Sequence, residues 1–412
     1  MDTIYRRVAG LDVHKESVQA CVRIMDESGK VTQQARNFST MTDGIRELGA
    51  WLSAAGVTHV AMESTGVYWK PIWNLLEGSF ELLLVNARHV KNVPGRKTDV
   101  LDSQWLAQLL QCGLLRGSFV PGEAQRQARD LTRHRTQLIG ERSRLANRVQ
   151  KVLEDANIKL GSVATDVMGV SGRDMLAAMA KGENDPQALA ELARGRLKSK
   201  IPDLRRALDG KVTDHHQFML KLLLDQLEYL ENLVDQLEQR IAQVLAPFAA
   251  EQELLDTIPG IDQHVARVIL AEVGADMSRF PTADHLSKWA GMAPGNDESA
   301  GKRRSGRTST ANKWLRSALV QAAWAASRKK DCYLAAQYKR LAKRRGRKRA
   351  LVAVGHTILV IAWHVLDGRT EYTELGGNYL DNLKPERLTR HLLNRLESLG
   401  YEVTLTPKTK VA

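Results

Sequence analysis

The chain has 412 residues, a formal net charge of +13 and a pI near 9.6, with 43 % hydrophobic and 26 % charged residues. This length predicts two to four domains, and this composition excludes disordered and fibrous proteins. The excess of positive charge favours a polyanionic partner, either nucleic acid or an anionic membrane surface. It is concentrated in residues 301–350, which contain 17 Lys and Arg residues and one acid, Asp331, whereas the remaining chain is close to neutral.

The sequence predicts a cytoplasmic protein. Cys21, Cys112 and Cys332 lie far apart in no metal-binding spacing, which is typical of reduced thiols. The N-terminal residues lack the apolar segment of a signal peptide. The longest uncharged run, residues 350–366, is short and is interrupted by Gly355 and two histidines, so it predicts a buried helix rather than a membrane span.

Strand and helix patterns alternate in the first part of the chain. RRVAGLDV predicts a strand, and SVQACVRIM and VTQQARNFS alternate with period two around the turn DESGK, as in a hairpin. The elements that follow are, in order, a helix, a strand, a helix, a strand and a helix, at residues 42–56, 58–64, 68–78, 80–86 and 98–115. The order β-β-β-α-β-α-β-α implies a mixed sheet with helices on its faces.

The middle of the chain is predicted to be helical. Residues 120–160 form one long helical pattern, whereas residues 161–215 show no regular period. A third segment, 217–245, has apolar residues at alternating spacings of four and three: Leu223, Leu227, Leu230, Val234, Leu237, Ile241 and Val244. This heptad seam is typical either of a helical hairpin packed within one chain or of a coiled coil that joins protomers, and the sequence leaves both open.

Four acidic residues stand at the ends of predicted elements. Asp12 closes the first strand in GLDVHK, and Glu63 closes a later strand in HVAMESTGVYW. Asp99 and Asp102 occupy positions i and i+3 in the first turn of a helix, which places them on one helix face. Each acid alone has an ordinary explanation, such as a turn or a helix start. Together they suit two Mg²⁺ ions that assist phosphoryl transfer, since Mg²⁺ prefers oxygen ligands.

Three segments with these acids resemble a known family. GLDVHK, MESTGVYW and GRKTDVLDSQWLAQLL are similar to the RuvC-like domain of the DEDD transposases of bridge-RNA-guided insertion sequences, namely the insertion sequence 110 and 1111 families and the related Piv invertases. The predicted strand order is also that of ribonuclease-H-like nucleases. The resemblance implies that Asp12, Glu63, Asp99 and Asp102 are catalytic and bind Mg²⁺.

The resemblance also implies an architecture of class α/β plus α. It consists of an RNase-H/RuvC-like N-terminal domain (1–118), a helical linker with long coiled-coil helices (119–250), a mainly helical transposase domain (251–366) and a C-terminal tail (367–412). The heptad seam fits the coiled-coil linker of the family.

A serine is the candidate nucleophile. Ser299 lies in ESAGK, within a loop rich in Gly, Ser and basic residues, and by itself it reads as a phosphate contact, with Ser305 and Ser309 as neighbours. The same family has an S-x-G-K motif, a G-R-x-[ST] motif and a helical x-L-R motif, which residues 299–316 match. The resemblance implies that Ser299 becomes linked to DNA. Glu298 occupies a position where many members have a second hydroxyl residue.

Contacts to nucleic acid are expected to involve phosphates. The IPGI turn at Gly260 is typical either of a helix-hairpin-helix that binds phosphate or of an ordinary tight turn. The basic stretch has few aromatic neighbours, which favours recognition of a DNA or folded RNA backbone. The predicted nucleic-acid-binding residues are Gly260, Lys302, Arg303, Arg304, Arg307, Lys313, Arg316, Lys343, Arg344, Arg345 and Arg347.

We therefore expect an RNA-guided DNA transposase of a bacterial insertion sequence, associated with the nucleoid. Its expected partners are double-stranded donor and target DNA, a structured bridge RNA that the resemblance alone implies, and further copies of the chain in a dimer or tetramer, with no membrane. We also expect the acids and the serine of one active site to come from different protomers. Two alternatives are a Holliday-junction nuclease that hydrolyses DNA with water and a non-catalytic nucleic-acid-binding protein.

Overall fold

A computed structural model describes residues 3–63, 66–86, 90, 102–295, 297–299, 301–306, 308, 311–383 and 385–405, and at 297–299, 302–305 and 387 it describes the backbone alone. Asp99, Arg307 and Ser309 lie outside the described residues, as do residues 98–101 of the predicted third helix. The chain divides into two compact units, residues 1–123 and 124–412, and each is considered by itself. The finer division of the second unit remains a prediction.

The first unit is built on a five-stranded mixed sheet with the strand order β3-β2-β1-β4-β5. Strand β2 runs antiparallel to β1 and to β3, whereas β4 is parallel to β1 and β5 is parallel to β4. The strands are β1 Arg7–Val13, β2 Ser17–Met25, β3 Val31–Ser39, β4 His59–Glu63 and β5 Glu81–Val85. The predicted mixed α/β sheet is therefore confirmed.

Helices cover both faces of this sheet. They are α1 Thr42–Ala54, α2 Trp69–Leu76 and α3 Asp102–Gln111. Successive residues of a strand point to opposite faces, so Leu11 packs in one core with Ile45 of α1, whereas Val8 packs on the other face with Leu110 of α3. The central strand β1 is thus buried on both sides, and its C-terminal end lies where α3 begins.

The second unit contains a long antiparallel helical hairpin. Helices α4, Glu123–Asp155, and α9, Asp214–Val244, are joined by ion pairs between Arg142 and Glu231 and between Arg135 and Glu238. Arg135 on α4 pairs with the later residue Glu238 on α9, and Arg142 pairs with the earlier residue Glu231, so the two helices run in opposite directions. The heptad residues of α9 therefore pack within the chain, as in the helical-hairpin interpretation, while a role in joining protomers remains a prediction.

Residues 156–213 form a small domain at the end of this hairpin, which we call the helical head. The sequence predicted no elements for residues 161–215, and the long helix predicted over 120–160 ends earlier, at Asp155. Its elements are α5 Leu160–Val163, α6 Val170–Ala180, α7 Pro186–Glu191, a 3₁₀ helix Gly195–Lys200 and α8 Ile201–Leu208. Met175, Leu189 and Leu204 are fully buried in one core with Val149 of α4 and Leu223 of α9. The head is thus an extension of the core that the hairpin itself builds.

The remainder of the second unit is mostly helical, which confirms the predicted fold class at this level. Short 3₁₀ helices lie at Ala246–Phe248 and Met277–Arg279, and β6 Asp297–Ser299 pairs with β7 Lys302–Ser305. The α-helices are α10 Ala249–Asp256, α11 Gln263–Val273, α12 Ala283–Trp289, α13 Lys313–Ala326, α14 Tyr333–Arg345, α15 Arg347–Gly368, α16 Tyr379–Asn382 and α17 Pro385–Glu397.

Two features bear on the cellular environment. Cys21, Cys112 and Cys332 are free thiols, as predicted. Among the described residues, α15 is the one helix that is long and apolar enough to cross a membrane. It packs against α12, α13 and α14, and the carbonyl oxygen of Leu319 would lie 3.1 Å from a Cβ at Gly355. These contacts suit the predicted buried helix.

Candidate active site and nucleic-acid interface

Two of the predicted acids stand side by side in the sheet. The parallel register pairs Leu11 of β1 with Met62 of β4, so that the next residues, Asp12 and Glu63, lie at neighbouring carboxyl ends. Paired residues of parallel strands point to the same face, and alternation places Asp12 on the same face as Gly10. Both carboxylates therefore leave the sheet on the side that α3 covers.

The third acid reaches this edge because Gly10 has no side chain. A Cβ at Gly10 would lie 2.2 Å from the carbonyl oxygen of Ser103 and 2.5 Å from the backbone nitrogen of Ala107. The start of α3 thus rests directly on β1, and Asp102 is the first residue of that helix. Three of the four predicted acids lie at one edge of the sheet, and the fourth, Asp99, is outside the described residues.

A histidine that was not predicted accompanies the first acid. The His14 Nε2 atom lies 3.2 Å from the Asp12 Oδ2 atom, and the Asp12 side chain is 19 % exposed against 64 % for His14. The spacing of two residues is the signal that was available, since it places both side chains on one side of an extended chain. An Nε2–H of this imidazole can donate to the carboxylate and hold its orientation.

The acids supply the oxygen donors that a divalent metal ion needs, but the described side chains are not close enough together to form a complete metal site. Carboxylate oxygens suit Mg²⁺, and the shared edge brings three of them to one face of the sheet. Within the described part of the chain, no group of three or more Asp, Glu, His or Cys side chains is close enough to hold a metal ion. The donor set fits such an ion in chemical type, and the predicted fourth ligand is Asp99.

Ser299 lies at the tip of a short β-hairpin. It is the last residue of β6, and its backbone pairs with Lys302, the first residue of β7. Gly301 occupies the turn at φ +74°, a region that favours glycine. An isolated bridge between Pro294 and Thr308 closes the base of the hairpin. The predicted nucleophile is therefore followed at once by a strand that begins with three consecutive basic residues.

A basic groove lies beside the base of this hairpin. It has a volume of about 960 Å³, and Pro294, Gly306 and Thr308 of the loop form part of its wall. We call it the serine-side groove. Its basic and imidazole side chains are Arg316, Arg345, Lys348, Arg349 and His356. The first two were predicted, whereas the other three were missed. The sequence places Lys348 and Arg349 in the basic run, but the surface that their side chains face depends on the residue at which α15 begins.

The other predicted bases face different surroundings. Lys343 and Arg344 line a separate cleft of about 1070 Å³ between α14 and the tail helices α16 and α17. Arg345, the next residue, faces the serine-side groove. The Lys313 ammonium stands 4.7 Å from the centre of the Trp314 ring at the start of α13, and Arg347 is exposed at the start of α15. Helix α14 therefore divides the basic run between two surfaces.

Gly260 has a structural reason to be glycine. Its φ is +90°, and a Cβ there would lie 2.2 Å from the carbonyl oxygen of Ala322 on α13. The following helix, α11, begins at an Asp262 carboxylate that already accepts the Val265 N–H. These contacts support the tight-turn interpretation, and phosphate binding at Gly260 stays a prediction.

A buried carboxylate holds the C-terminal end of the loop that contains Ser299, which we call the serine loop. Glu272 is fully buried on α11, and Arg133 of α4 donates to it through Nε and Nη2 at 2.7 and 2.8 Å. The Asn312 amide donates to the same carboxylate at 2.8 Å, while its Oδ1 accepts the N–H groups of Trp314 and Leu315 at the start of α13. Glu272 thereby ties the residue that ends the loop to the long helix α4.

A second arginine completes this cluster. The Arg129 Nε atom lies 3.4 Å from Glu272, and its guanidinium also donates to the carbonyls of Ala271 and Glu272. Burial lowers the pKa of Arg129 to about 10, although the negative charge of Glu272 opposes this shift. Sequence reasoning missed the cluster. Its signal was an acid within the apolar run VARVILAEV, where an unpaired carboxylate would be costly.

Comparison with known proteins assigns the family. The family model described as "Transposase", the DEDD model of the IS110 type, matches residues 9–158. A second model, described as "Transposase IS116/IS110/IS902 family", matches residues 252–339. The chain belongs to this transposase family. It is thus an enzyme of the class that cleaves and transfers DNA strands, and the predicted resemblance is confirmed.

Curated relatives agree with this assignment. The chain is 25 % identical over 382 residues to the transposase for insertion sequence element IS1111A of Coxiella burnetii. The aligned region covers 89 % of this chain and 91 % of that protein. It is 26 % identical to a probable family 20 transposase of Pseudomonas aeruginosa, over 76 % of this chain and 85 % of that one. A mini-circle putative transposase for IS117 of Streptomyces coelicolor is 24 % identical, over 72 % and 79 %.

Proposed function

We propose that this insertion-sequence transposase cuts and rejoins DNA through a covalent link to Ser299, assisted by a divalent metal ion at a RuvC-like set of acids. The observation that carries the proposal is the placement of Asp12, Glu63 and Asp102 at one sheet edge, through the β1–β4 register and the close contact of α3 with Gly10. The strand order β3-β2-β1-β4-β5, in which β2 alone runs antiparallel to the other strands, supports a ribonuclease-H-like fold.

In the cleavage step the Ser299 Oγ atom forms a bond to the phosphorus of one DNA strand and gives up its proton to solvent. The bond between that phosphorus and the leaving oxygen breaks, and the oxygen takes up a proton and becomes a free DNA hydroxyl. In the joining step a hydroxyl of another strand attacks the phosphoserine and regenerates the serine. The basic strand that follows Ser299 and the serine-side groove would hold the phosphates on either side.

The acids have a separate task. Asp12, Glu63, Asp99 and Asp102 would hold Mg²⁺, in our proposal two ions, which when bound stabilise negative charge on the attacking and leaving oxygens. His14 would orient the Asp12 carboxylate through its 3.2 Å contact. The acids belong to the first unit and Ser299 to the second. We propose that one active site combines the acids of one protomer with the serine of another.

The covalent step is tested by incubating the protein with DNA and Mg²⁺ and separating the products under denaturing conditions. We expect protein-linked DNA with the wild type and none with Ser299→Ala. Ser305→Ala is the matched control, because this serine lies at the end of β7 in the same hairpin, and it should still form the adduct. Equal cleavage by wild type and Ser299→Ala without an adduct would establish hydrolysis by water instead.

The shared active site is tested by mixing two inactive variants, Asp12→Ala and Ser299→Ala. Activity in the mixture but in neither protein alone would support acids and serine from different protomers, and an inactive mixture of proteins that still assemble would count against it. Unchanged strand cleavage by both Asp12→Ala and Glu63→Ala would remove the acids from the mechanism altogether.

We further propose that a structured RNA selects the DNA sites, because the described basic surfaces offer phosphate contacts and few exposed aromatic rings for base readout. Trp324, which is 42 % exposed and stacks on Arg328 at 4.5 Å, is an exception at the surface of α13. Nucleic acid that copurifies with the chain should contain one discrete RNA encoded beside the gene. Copurified RNA of random sequence would contradict guidance.

A further inference from the structure

The helical head at the end of the long hairpin has an unexplained concentration of positive charge. Residues 194–211 contain seven Lys and Arg residues and two acids, Asp203 and Asp209. The overall charge hides this cluster, because acidic residues elsewhere in the chain balance it. We call five of these side chains the head cluster: Arg196, Lys198, Arg205, Arg206 and Lys211.

The head cluster is not used by the fold. All five side chains are exposed, and among the described residues none of them forms an ion pair. The two neighbouring bases differ, since Arg194 pairs with Asp174 at 2.7 Å and the Lys200 ammonium donates to the carbonyl of Val163. The buried side of α8 is supplied by Leu204, with Ala207 and Leu208 beside it. The cluster therefore costs the head charge repulsion without contributing to its core.

The head has a cleft that is lined in part by basic residues. Lys200, Arg206 and Ser162 line this cleft of about 440 Å³ between α5 and α8. Asp203 also lines it, so that two positive groups meet one carboxylate. A polyanion would gain from the surrounding cluster more than it loses at this single acid.

We propose that the head cluster binds the phosphate backbone of duplex DNA at a distance from the reaction centre. DNA is favoured because this family acts on DNA strands. Residues 156–213 contain no Phe, Tyr or Trp, and single-stranded nucleic acids are bound largely by stacking on such rings. A surface of Lys and Arg without aromatic residues instead fits a duplex, whose bases are stacked inside.

The hairpin sets the distance at which this contact would occur. Arg133, which holds the end of the serine loop through Glu272, and Asp155, where α4 meets the head, are separated by about 33 Å at 1.5 Å per residue. One turn of duplex DNA is about 34–36 Å long. These two lengths are similar, so we place the head contact on the order of one helical turn from the cleaved phosphate, taking Arg133 to mark the position of the serine loop; this placement rests on the proposed role of Ser299.

The test measures binding of the full chain to a duplex longer than two helical turns that includes the element's end, with EDTA present so that no cleavage occurs. The variant is Arg196→Gln/Arg205→Gln/Arg206→Gln. The matched control is Arg6→Gln/Lys30→Gln/Arg46→Gln, which removes the same charge from exposed positions of the first unit. Neither variant should unfold at a lower temperature than the wild type.

We expect the plot of log affinity against log salt to be shallower by about 2 to 3 for the head variant, roughly one for each lost phosphate contact, and unchanged for the control. The proposal would be overturned if both variants lost DNA affinity equally. It would also be overturned if the head variant lost affinity for folded RNA or an acidic peptide but not for duplex DNA. Hydroxyl-radical footprinting then tests the position: protection about one turn from the cleaved phosphate should disappear in the head variant. If the head variant binds DNA more weakly but keeps this protection, the placement is refuted. The role of Ser299 is tested separately, by the formation of the protein–DNA adduct.

Discussion

Replacement of Glu272 by glutamine should destabilise the second unit, although the two side chains have almost the same shape. Glu272 is fully buried and meets Arg133 at 2.7 and 2.8 Å and Arg129 at 3.4 Å. Without the carboxylate, Arg129 would keep its charge in a site where its side chain is 13 % exposed. Arg133 is 34 % exposed and can regain water more easily.

Breaking a buried ion pair by removing one partner costs about 3–5 kcal/mol, chiefly because the other charge stays buried. Since Arg133 can be rehydrated in part, we expect the lower end of this range, about 3 kcal/mol. Residues 124–412 unfold with an entropy of about 0.6 kcal/mol/K, so that loss lowers the midpoint of thermal unfolding by roughly 5 °C. Removing the partner charge as well, in Glu272→Gln/Arg129→Met, should cost less than the sum of the two single changes by about 1 kcal/mol or more.

Calorimetry on the full chain measures these effects in the unfolding transition of the second unit. Glu253→Gln is the matched control, because Glu253 is exposed on α10, and it should change the free energy of unfolding by no more than about 0.5 kcal/mol. A wild-type midpoint for Glu272→Gln, or strict additivity in the double variant, would refute the view that the carboxylate offsets the buried arginine charge.

Three further outcomes follow from close contacts and burial. Gly10→Ala should destabilise the first unit by about 1–3 kcal/mol and slow DNA cleavage, because its Cβ would lie 2.2 Å from the Ser103 carbonyl; denaturant unfolding and a cleavage assay check this, and a neutral effect on both would contradict the close packing of α3. Gly260→Ala should destabilise the second unit through its φ of +90° and its contact with α13, whereas a variant of normal stability with weaker DNA binding would favour a phosphate contact there. Burial lowers the pKa of His264 below its ordinary 6.5, and Arg135 adds to this, so the unfolded chain takes up the proton first and stability falls as the pH drops below about 6.5. His264→Gln should make the free energy of unfolding less dependent on pH between 7 and 5, and an unchanged pH profile would rule out this contribution.

The local patterns of the sequence predicted the order of strands and helices in the first unit. Period-two alternation around DESGK gave the hairpin of β2 and β3, and acids at the ends of apolar strands gave Asp12 and Glu63, because a strand end and a sheet edge are local properties. The fold class and the transposase family followed from the same short motifs. The heptad period of α9 was equally visible. The sequence did not identify the helix that packs against it, because a row of leucines can pack against the apolar face of many helices.

Tertiary structure alone decided which distant residues meet. The contact of Gly10 with Ser103 joins positions far apart in the chain and brings Asp102 to the sheet edge. Glu272 looked like a misplaced acid until α4 supplied Arg133 and the serine loop supplied Asn312. The irregular segment 156–213 had no period to read, because its short helices are stabilised by a core that the hairpin completes. The sequence by itself thus identified the candidate residues for the chemistry, and packing determined how their surroundings are held, because burial and charge pairing depend on neighbours that are remote along the chain.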